Sequence, residues 1–463
     1  MNLFNIQYSI QFMRWCGAIA AGGALLIGGV AAATEECVPA VDTSFGVPGA
    51  DDDVLAFTEH DDGLLYVGGQ FGSIGGTTAA GIARWDGQNF SALPGGGISN
   101  QQIYDLASFD GDVYAAGYFD QIGGVSGTAK LARWDGAQWN SIDAQLEMWW
   151  NQLWKLTVHD DGSGPALYIG GNFEDLGAQA GLNHIARWDG ESFSAVGGTI
   201  GGNVPLIVFE IASWDDGDGD ALYIGGRFTS VDGVEASRIA KWDGEQWHRL
   251  GDGLTGPGAA PSVMAMAAYD DGTGEQLYVA GQAFDQAGGV TAHRVARWDG
   301  EQWSAVGDGF DDGIVWDLRV FDAGEGESLY AFGTFPSSGG KPLNGIARWD
   351  GEQWQPVGSG ADGSVYATFA HDDGGGDGEQ VYIGGAFSSM DGLNSNRIAR
   401  WSECEICPAD LTGDGAVGGA DLGVLLSEWG DCPDPDDCPA DLTGNGSVAG
   451  ADLGVLLSEW GDC

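Results

Sequence analysis

A six-residue phrase, Ile-Ala-Arg-Trp-Asp-Gly with small variations, occurs seven times, with its tryptophan at Trp85, Trp134, Trp188, Trp242, Trp298, Trp349 and Trp401. The intervals are 49, 54, 54, 56, 51 and 52 residues. A second phrase, Leu-Tyr-Ile-Gly-Gly, keeps the same beat at Tyr66, Tyr114, Tyr168, Tyr223, Tyr278, Tyr330 and Tyr382. Such a period means one supersecondary unit copied seven times, none of which buries its apolar face alone. Residues that recur in every copy are expected to build the unit. Residues that break the pattern are the more informative ones for function.

One copy shows the content of the unit. Residues 263–269 are an apolar run, 270–274 an Asp-Asp-Gly turn, and 277–281 a second run. A Gly288-Gly289 loop leads to residues 294–298, and Asp299-Gly300 turns the chain into residues 302–306. Short β-branched and aromatic runs divided by Asp-Gly and Gly-Gly turns predict antiparallel hairpins. Each copy then supplies four strands, and the fold expected is all-β: a seven-bladed β-propeller of four-stranded antiparallel blades. The 82 glycines come in pairs at fixed places and are read as turn chemistry.

The last copy lacks its fourth strand, because the chain leaves the pattern after Trp401. Residues 37–41 align with residues 302–306 of the complete copy, so the N-terminal segment is expected to close the ring as the missing outer strand. Closure removes the exposed edges of an open array. It also sets Cys37 across the hairpin mouth from Cys404, and a disulfide between them is expected.

The double glycine after an apolar second strand, the aromatic late in the third and the tryptophan in the fourth resemble kelch-like propellers. They stand here as Gly225-Gly226, Trp242 and Trp247 in one copy, and as Gly384-Gly385 and Trp401 in the last. The resemblance covers residues 37–401. It implies architecture rather than activity, because such propellers serve both enzymes and binding proteins.

The repeated polar residues are read as structural. Arg84, Arg133, Arg187, Lys241, Arg297, Arg348 and Arg400 recur in the third strands, where one ion pair per blade is expected. His60, His159 and His371 recur at the ends of first strands, and acidic runs such as 215–220 are read as tight turns.

Net charge is −51, from 68 acids against 17 bases. Such a surface excludes nucleic acid and anionic membrane as partners, since both need basic groups against phosphate. It suits calcium or a salty exterior. Residues 1–33 read as a signal peptide: Arg14 in an acid-free start, an apolar stretch at 15–30, and a small-residue site at Ala31-Ala32-Ala33. Cleavage leaves no transmembrane span and a protein that is secreted, extracellular or at the cell surface. The six remaining cysteines, Cys37, Cys404, Cys407, Cys432, Cys438 and Cys463, fit an oxidising compartment.

Residues 405–463 hold two near-identical copies 31 residues apart. Each carries Asp at loop position one, Thr at three, Asp or Asn at five, Gly at six and Asp at twelve, the spacing of an EF-hand-type calcium loop. Asp410, Thr412, Asp414, the Ala416 carbonyl and Asp421 form one ligand set. Asp441, Thr443, Asn445, the Ser447 carbonyl and Asp452 form the other, so two calcium ions are expected. After each loop a short helix follows, with Leu422, Leu425, Leu426 and Trp429 at helical spacing. A tandem of loop plus exit helix resembles the type I dockerin of cellulosome-like assemblies, which implies a small helical calcium-binding domain whose partner is a cohesin-like or cell-surface protein. Gly419-Ala420 and Gly450-Ala451 stand where dockerins select their cohesin, and the usual Ser-Thr pair is absent. Each copy is bracketed by cysteines, and the pairs Cys407–Cys432 and Cys438–Cys463 are expected.

No phosphate loop, nucleophile elbow or paired-histidine metal motif is present in the sequence. The loop 145–152 breaks the pattern with Trp149 and Trp150, which could stack on sugar rings or on a protein partner. The reading is a secreted, non-catalytic propeller that binds a polysaccharide or a protein and is tethered by its calcium module. The alternative is a polysaccharide-active hydrolase, which needs a non-repeated carboxylate pair in one pocket.

Overall fold

The computed structural model describes residues 40–462, apart from 43–44, 46, 99–100, 143–150, 177–180, 203, 258–260, 324–325, 375–378, 403–408, 410, 413–415, 433–437, 444 and 459. The signal segment 1–33, Cys37, Cys404, Cys407, Cys463, Asp410, Asp414, Trp149 and Trp150 lie outside the described residues.

The described chain is all-β and propeller-like, with two short helices near its end. It contains seven four-stranded antiparallel sheets. Six of them run through one copy of the repeat in order, as in Ser262–Asp270, Glu275–Gln282, Val295–Trp298 and Trp303–Ala305. The seventh takes its outer strand from the other end of the chain. Ala40–Val41 pairs antiparallel with Ile398–Ser402, with Ala40 opposite Ser402 and Val41 opposite Trp401. The seven first strands neighbour one another in a closed cycle, the last (Ser364–His371) lying against the first (Val54–Glu59). Seven apolar clusters each span two adjacent four-stranded sheets; one joins Tyr278 and Val295 to Val315, Leu318 and Trp349.

The repeated phrases are accounted for by this packing. The second-strand tyrosine donates its hydroxyl hydrogen to the second aspartate of the Asp-Asp-Gly turn: Tyr168 to Asp161 at 2.8 Å, Tyr223 to Asp216 at 2.9 Å, Tyr278 to Asp271 at 3.0 Å. The same aspartates receive the third-strand cations Arg187, Lys241 and Arg297. Burial opposes ionisation of Asp216 and Asp271, but these hydrogen bonds outweigh it and hold both carboxyls below their ordinary range. The first aspartate of each turn caps backbone, as Asp215 does for the Gly217 and Gly219 amides at 2.8 and 2.9 Å. The histidines bridge neighbouring sheets: His60 to Ser108 at 3.2 Å, His159 to Ser213 at 2.9 Å, His371 to Glu59 at 3.0 Å.

The double glycines of the Leu-Tyr-Ile-Gly-Gly phrase are not turn residues. They lie inside second strands, where two close approaches demand them. The first glycine backs onto the next sheet: a Cβ on Gly170 would stand 2.8 Å from Val208 Cγ1, and one on Gly68 2.8 Å from Ile103 Cγ2. The second faces a β-bulge in the first strand of its own sheet. A Cβ on Gly226 would overlap the Ile207 carbonyl oxygen, and one on Gly281 the Ser262 carbonyl oxygen. Gly226→Ala should therefore cost about 1–3 kcal/mol by overpacking. A denaturation midpoint equal to wild type would show that the bulge yields freely.

In the C-terminal segment the two copies interlock. The loop strand Ala416–Val417 pairs with Gly461–Asp462 of the second copy, and Ser447–Val448 pairs with Gly430–Asp431 of the first. Helices α1 (Gly419–Ser427) and α2 (Gly450–Ser458) contact each other. The core is built of equivalent pairs: Ala409 and Ala440, Val417 and Val448, Leu425 and Leu456. Only one residue of the predicted apolar face is fully buried in each helix. Leu426 and Trp429 remain 53 % and 48 % exposed, and Leu457 and Trp460 likewise 54 % and 49 %. So small a core has one contact face per helix.

The interlock corrects the cysteine pairing. Cys432 is bonded to Cys438, with Cα atoms 5.9 Å apart, so neither Cys407–Cys432 nor Cys438–Cys463 forms. The reason is the crossed strand pairing. It lays the end of copy one beside the loop of copy two, where the Cys432 amide donates to the Gly446 carbonyl at 3.0 Å. The end of one copy thus meets the start of the next rather than its own start.

Candidate functional site

All seven first strands carry a bulge near their beginning, opposite the second glycine. The extra residue is in turn Leu55, Tyr104, Trp154, Phe209, Met264, Trp316 and Tyr366. A bulge sets two residues against one, so the regular in-out alternation is broken there. These seven large side chains line a central cavity of about 310 Å³ among the first strands. That lies at the small end of ligand sites, roughly 300–1,000 Å³.

Five of the seven are aromatic, and they touch across sheets. Tyr104 and Trp154 stack with centroids 4.3 Å apart and planes 3° from parallel. Phe209 meets Trp154 edge to face at 5.2 Å, and Trp316 meets Tyr366 likewise at 5.7 Å. Burial pushes the Tyr104 hydroxyl up to about 12, so it stays a neutral donor. The indole nitrogens of Trp154 and Trp316 have no hydrogen-bond partner among the described residues.

The residue after each bulge forms a floor. It is Ala in three sheets (Ala56, Ala265, Ala367) and charged in four (Asp105, Lys155, Glu210, Asp317). Lys155 Nζ lies 3.2 Å from Glu210 Oε1. The amides of Leu106 and Leu156 donate to Asp105 at 3.0 and 2.8 Å. The Thr368 amide and hydroxyl donate to Asp317 Oδ2 at 2.8 and 2.7 Å. Arg319 completes the floor, donating to the Thr368 carbonyl at 2.8 Å, with Asp317 at 3.9 Å.

Burial dominates the electrostatics. It raises Asp105 above the usual carboxylate range despite Lys155 nearby. It pushes Glu210 up to about 7, with the Lys155 ammonium pulling the other way. For Lys155 burial works against the charge, but Glu210, Asp105 and Asp317 outweigh it and hold the ammonium above its ordinary value.

In sequence the first strand reads only as an apolar run, which gives no sign of a bulge, so these residues do not stand out there. The signal was present as a column in the aligned copies. Next to the uniformly aliphatic Val54, Ile103, Leu153, Val208, Val263, Val315 and Val365 stand two positions that differ from copy to copy. In the sequence, Trp149 and Trp150 come shortly before the strand carrying Trp154.

In the C-terminal segment the second predicted loop is fully described at its ligand positions. Asp441 Oδ2 accepts the Gly446 amide at 2.6 Å, with Gly446 at φ +85°, a left-handed turn that glycine adopts without strain. Asp452, fully buried, accepts the Thr443 amide at 3.0 Å, the Thr443 hydroxyl at 2.8 Å and the Ala449 amide at 2.8 Å. Asn445 Nδ2 reaches Thr443 Oγ1 at 2.6 Å. Positions one, three, five and twelve are thus tied in one hydrogen-bonded oxygen cluster. In the first loop Asp421 accepts the Thr412 amide and hydroxyl in the same way, and burial is outweighed so that its carboxyl falls to about 2. Among the described residues no group of three or more His, Cys, Asp or Glu side chains is placed to hold a metal. The second loop supplies two carboxylates, its other donors being neutral oxygens, a hard-oxygen set of the kind calcium takes.

No protein-family model matches the chain, and no curated protein matches it. Among solved structures, the extracellular domains of two hybrid two-component systems from B. thetaiotaomicron are similar at 13 % identity. The matches cover 82 % and 76 % of this chain, with TM-scores of 0.47 and 0.43. The chain spans about two fifths of those domains, 42 % and 40 %. A catalytically inactive virginiamycin B lyase from Staphylococcus aureus with quinupristin is similar at 13 % identity, over 76 % of this chain and 96 % of that one, with a TM-score of 0.41. These are likenesses of fold alone.

Proposed function

We propose that the protein is a secreted, non-catalytic, seven-bladed propeller of kelch-like blades that binds a polysaccharide or protein ligand in its central cavity. The observation behind this reading is the cavity lining. It consists of the positions that differ between copies, and it joins aromatic faces to hydrogen-bonding charges. The C-terminal segment, on this reading, is a dockerin-like module that takes two calcium ions through Asp410, Thr412, Asp414, Ala416, Asp421 and Asp441, Thr443, Asn445, Ser447, Asp452. It tethers the propeller to a cohesin-like or cell-surface protein outside the cell. Among the described residues no helix is long and apolar enough to cross a membrane. On the same reading Cys407 pairs with Cys463, as the counterpart of Cys432–Cys438, and Cys37 with Cys404 at the ring closure.

A hydrolase reading has one observation in its favour: Asp105, Glu210 and Asp317 are non-repeated carboxylates in one cavity, and Glu210 sits near 7, where a general acid works. Against it, Asp105 and Asp317 are already committed to backbone or threonine hydrogen bonds and Glu210 to Lys155. A glycan array with the full chain and its Trp154→Ala variant tests both readings. Retention of a glycan that the variant loses is expected. Release of shortened products, abolished by Glu210→Gln, would establish the hydrolase instead.

A further inference from the structure

Charge balance in the cavity narrows the ligand class. Four carboxylates line it, Asp53, Asp105, Glu210 and Asp317. Asp53 is matched by Arg397 at 3.5 Å, Glu210 by Lys155 and Asp317 by Arg319. Asp105 has no cation within ion-pair distance among the described residues; only two backbone amides reach it. The floor therefore holds three carboxyls against two cations, and Asp105, which burial holds above the usual carboxylate range, is the one that an incoming ammonium would ionise. The floor's field already supports one ammonium out of bulk water, that of Lys155. Above the floor stand the faces and edges of Tyr104, Trp154, Phe209, Trp316 and Tyr366. Aromatic faces attract cations, most strongly where water is excluded.

A metal ion does not fit this arrangement. A hard cation needs six or more oxygens, and the collar above the floor is apolar. Polyanions are repelled by the net −51 of the chain. A neutral sugar would stack on the collar but leave Asp105 without a cationic partner. A lysine side chain would supply one yet make no use of Arg319, Thr368 and the tyrosine hydroxyls, which offer hydrogen bonds at several heights.

We propose that the central cavity binds the amino-sugar end of a glycan: a saturated ring against the aromatic collar, with its ammonium directed to the Asp105 side of the floor. This rests on the cavity being the propeller's binding site.

Calorimetry on the full chain tests it with three probes: a glucosamine trisaccharide, its fully N-acetylated counterpart, and a lysine pentapeptide. The glucosamine trisaccharide should bind about ten-fold or more tighter than the acetylated one, the factor that one hydrogen bond between charged groups supplies. Asp105→Asn should remove most of that difference by weakening the glucosamine trisaccharide more than the acetylated one. Trp154→Phe should weaken both sugars with the melting temperature retained. Equal or tighter binding of the acetylated sugar, or tighter binding of the peptide, overturns the amino-sugar assignment. If that binding is still sensitive to Trp154→Phe, the cavity reading stands. Sugar binding indifferent to both substitutions overturns the cavity reading as well. Absence of binding by all three probes refutes the assignment outright.

Discussion

Lys155→Met should destabilise the propeller by about 2–3 kcal/mol, less than the loss from a fully buried charge pair because the Lys155 side chain is 30 % exposed. Glu210 is only 8 % exposed, and Lys155 is the nearest cation to it. Without the ammonium, Glu210, Asp105 and Asp317 face one another across the floor with Arg319 alone. The double variant Lys155→Met with Glu210→Gln should recover most of the loss, because it removes the orphaned charge instead of stranding it. The pH dependence supplies a second readout. The folded-state carboxyl of Glu210, near 7, lies above its ordinary 4.5. Its contribution to stability is therefore fully present below about pH 4.5 and is lost as the pH rises through 7. Glu210→Gln should flatten that part of the stability profile. Denaturant unfolding at pH 5 and pH 8 measures all four chains. A Lys155→Met midpoint within about 1 kcal/mol of wild type would mean that water reaches the floor freely and that the cluster is a surface feature.

The second large effect is expected in the tail. Asp410→Ala combined with Asp441→Ala should abolish calcium binding, because both loops lose the carboxylate at position one. In Asp441 that carboxylate also holds the Gly446 and Asn445 amides and so shapes the loop. At a calcium concentration one hundred times Kd, each occupied site adds about 2.7 kcal/mol of stability. Wild type should show this as a chelator-sensitive rise in the tail's melting temperature, and the double variant should show none. The second loop, with Asn445 where the first has Asp414, carries one charge fewer and should be the weaker site. Unchanged calcium heats in the double variant would refute the assigned ligands. Non-reducing peptide maps of the same samples read the cysteine pairs: Cys432–Cys438 with Cys407–Cys463 and Cys37–Cys404 is the set expected.

Much of the β-structure was legible because its causes are local. A hairpin strand declares itself by a short apolar run and an Asp-Gly or Gly-Gly turn, and a copy number of seven averages away the noise of any one run. Thus the strands around Tyr278, Trp298 and Trp303 lie where the pattern set them. The roles of Arg297 and Asp271 could also be anticipated, since a residue present in every copy serves every copy. The double glycines misled because glycine is as much a clearance residue as a turn residue. Which of the two applies depends on what stands opposite, and for Gly226 that is the Ile207 carbonyl.

The sequence by itself determined the period, through recurrence, and the strand content of each copy and the oxygen-rich spacing of the tail loops, through residues close along the chain. Only the tertiary structure decided the cavity and the cysteine pairing. The cavity needs seven bulges, each created by a glycine on one strand and displayed by a residue on another, with Tyr104, Trp154 and Glu210 brought together from different copies. Because every copy contains its bulge, the insertion leaves the period undisturbed and is invisible as an interruption. The Cys432–Cys438 bond depends on two copies lying crossed, each loop paired with the other's exit strand. Spacing along a chain records what a copy holds; which copy lies beside it is settled by the burial of shared apolar surface.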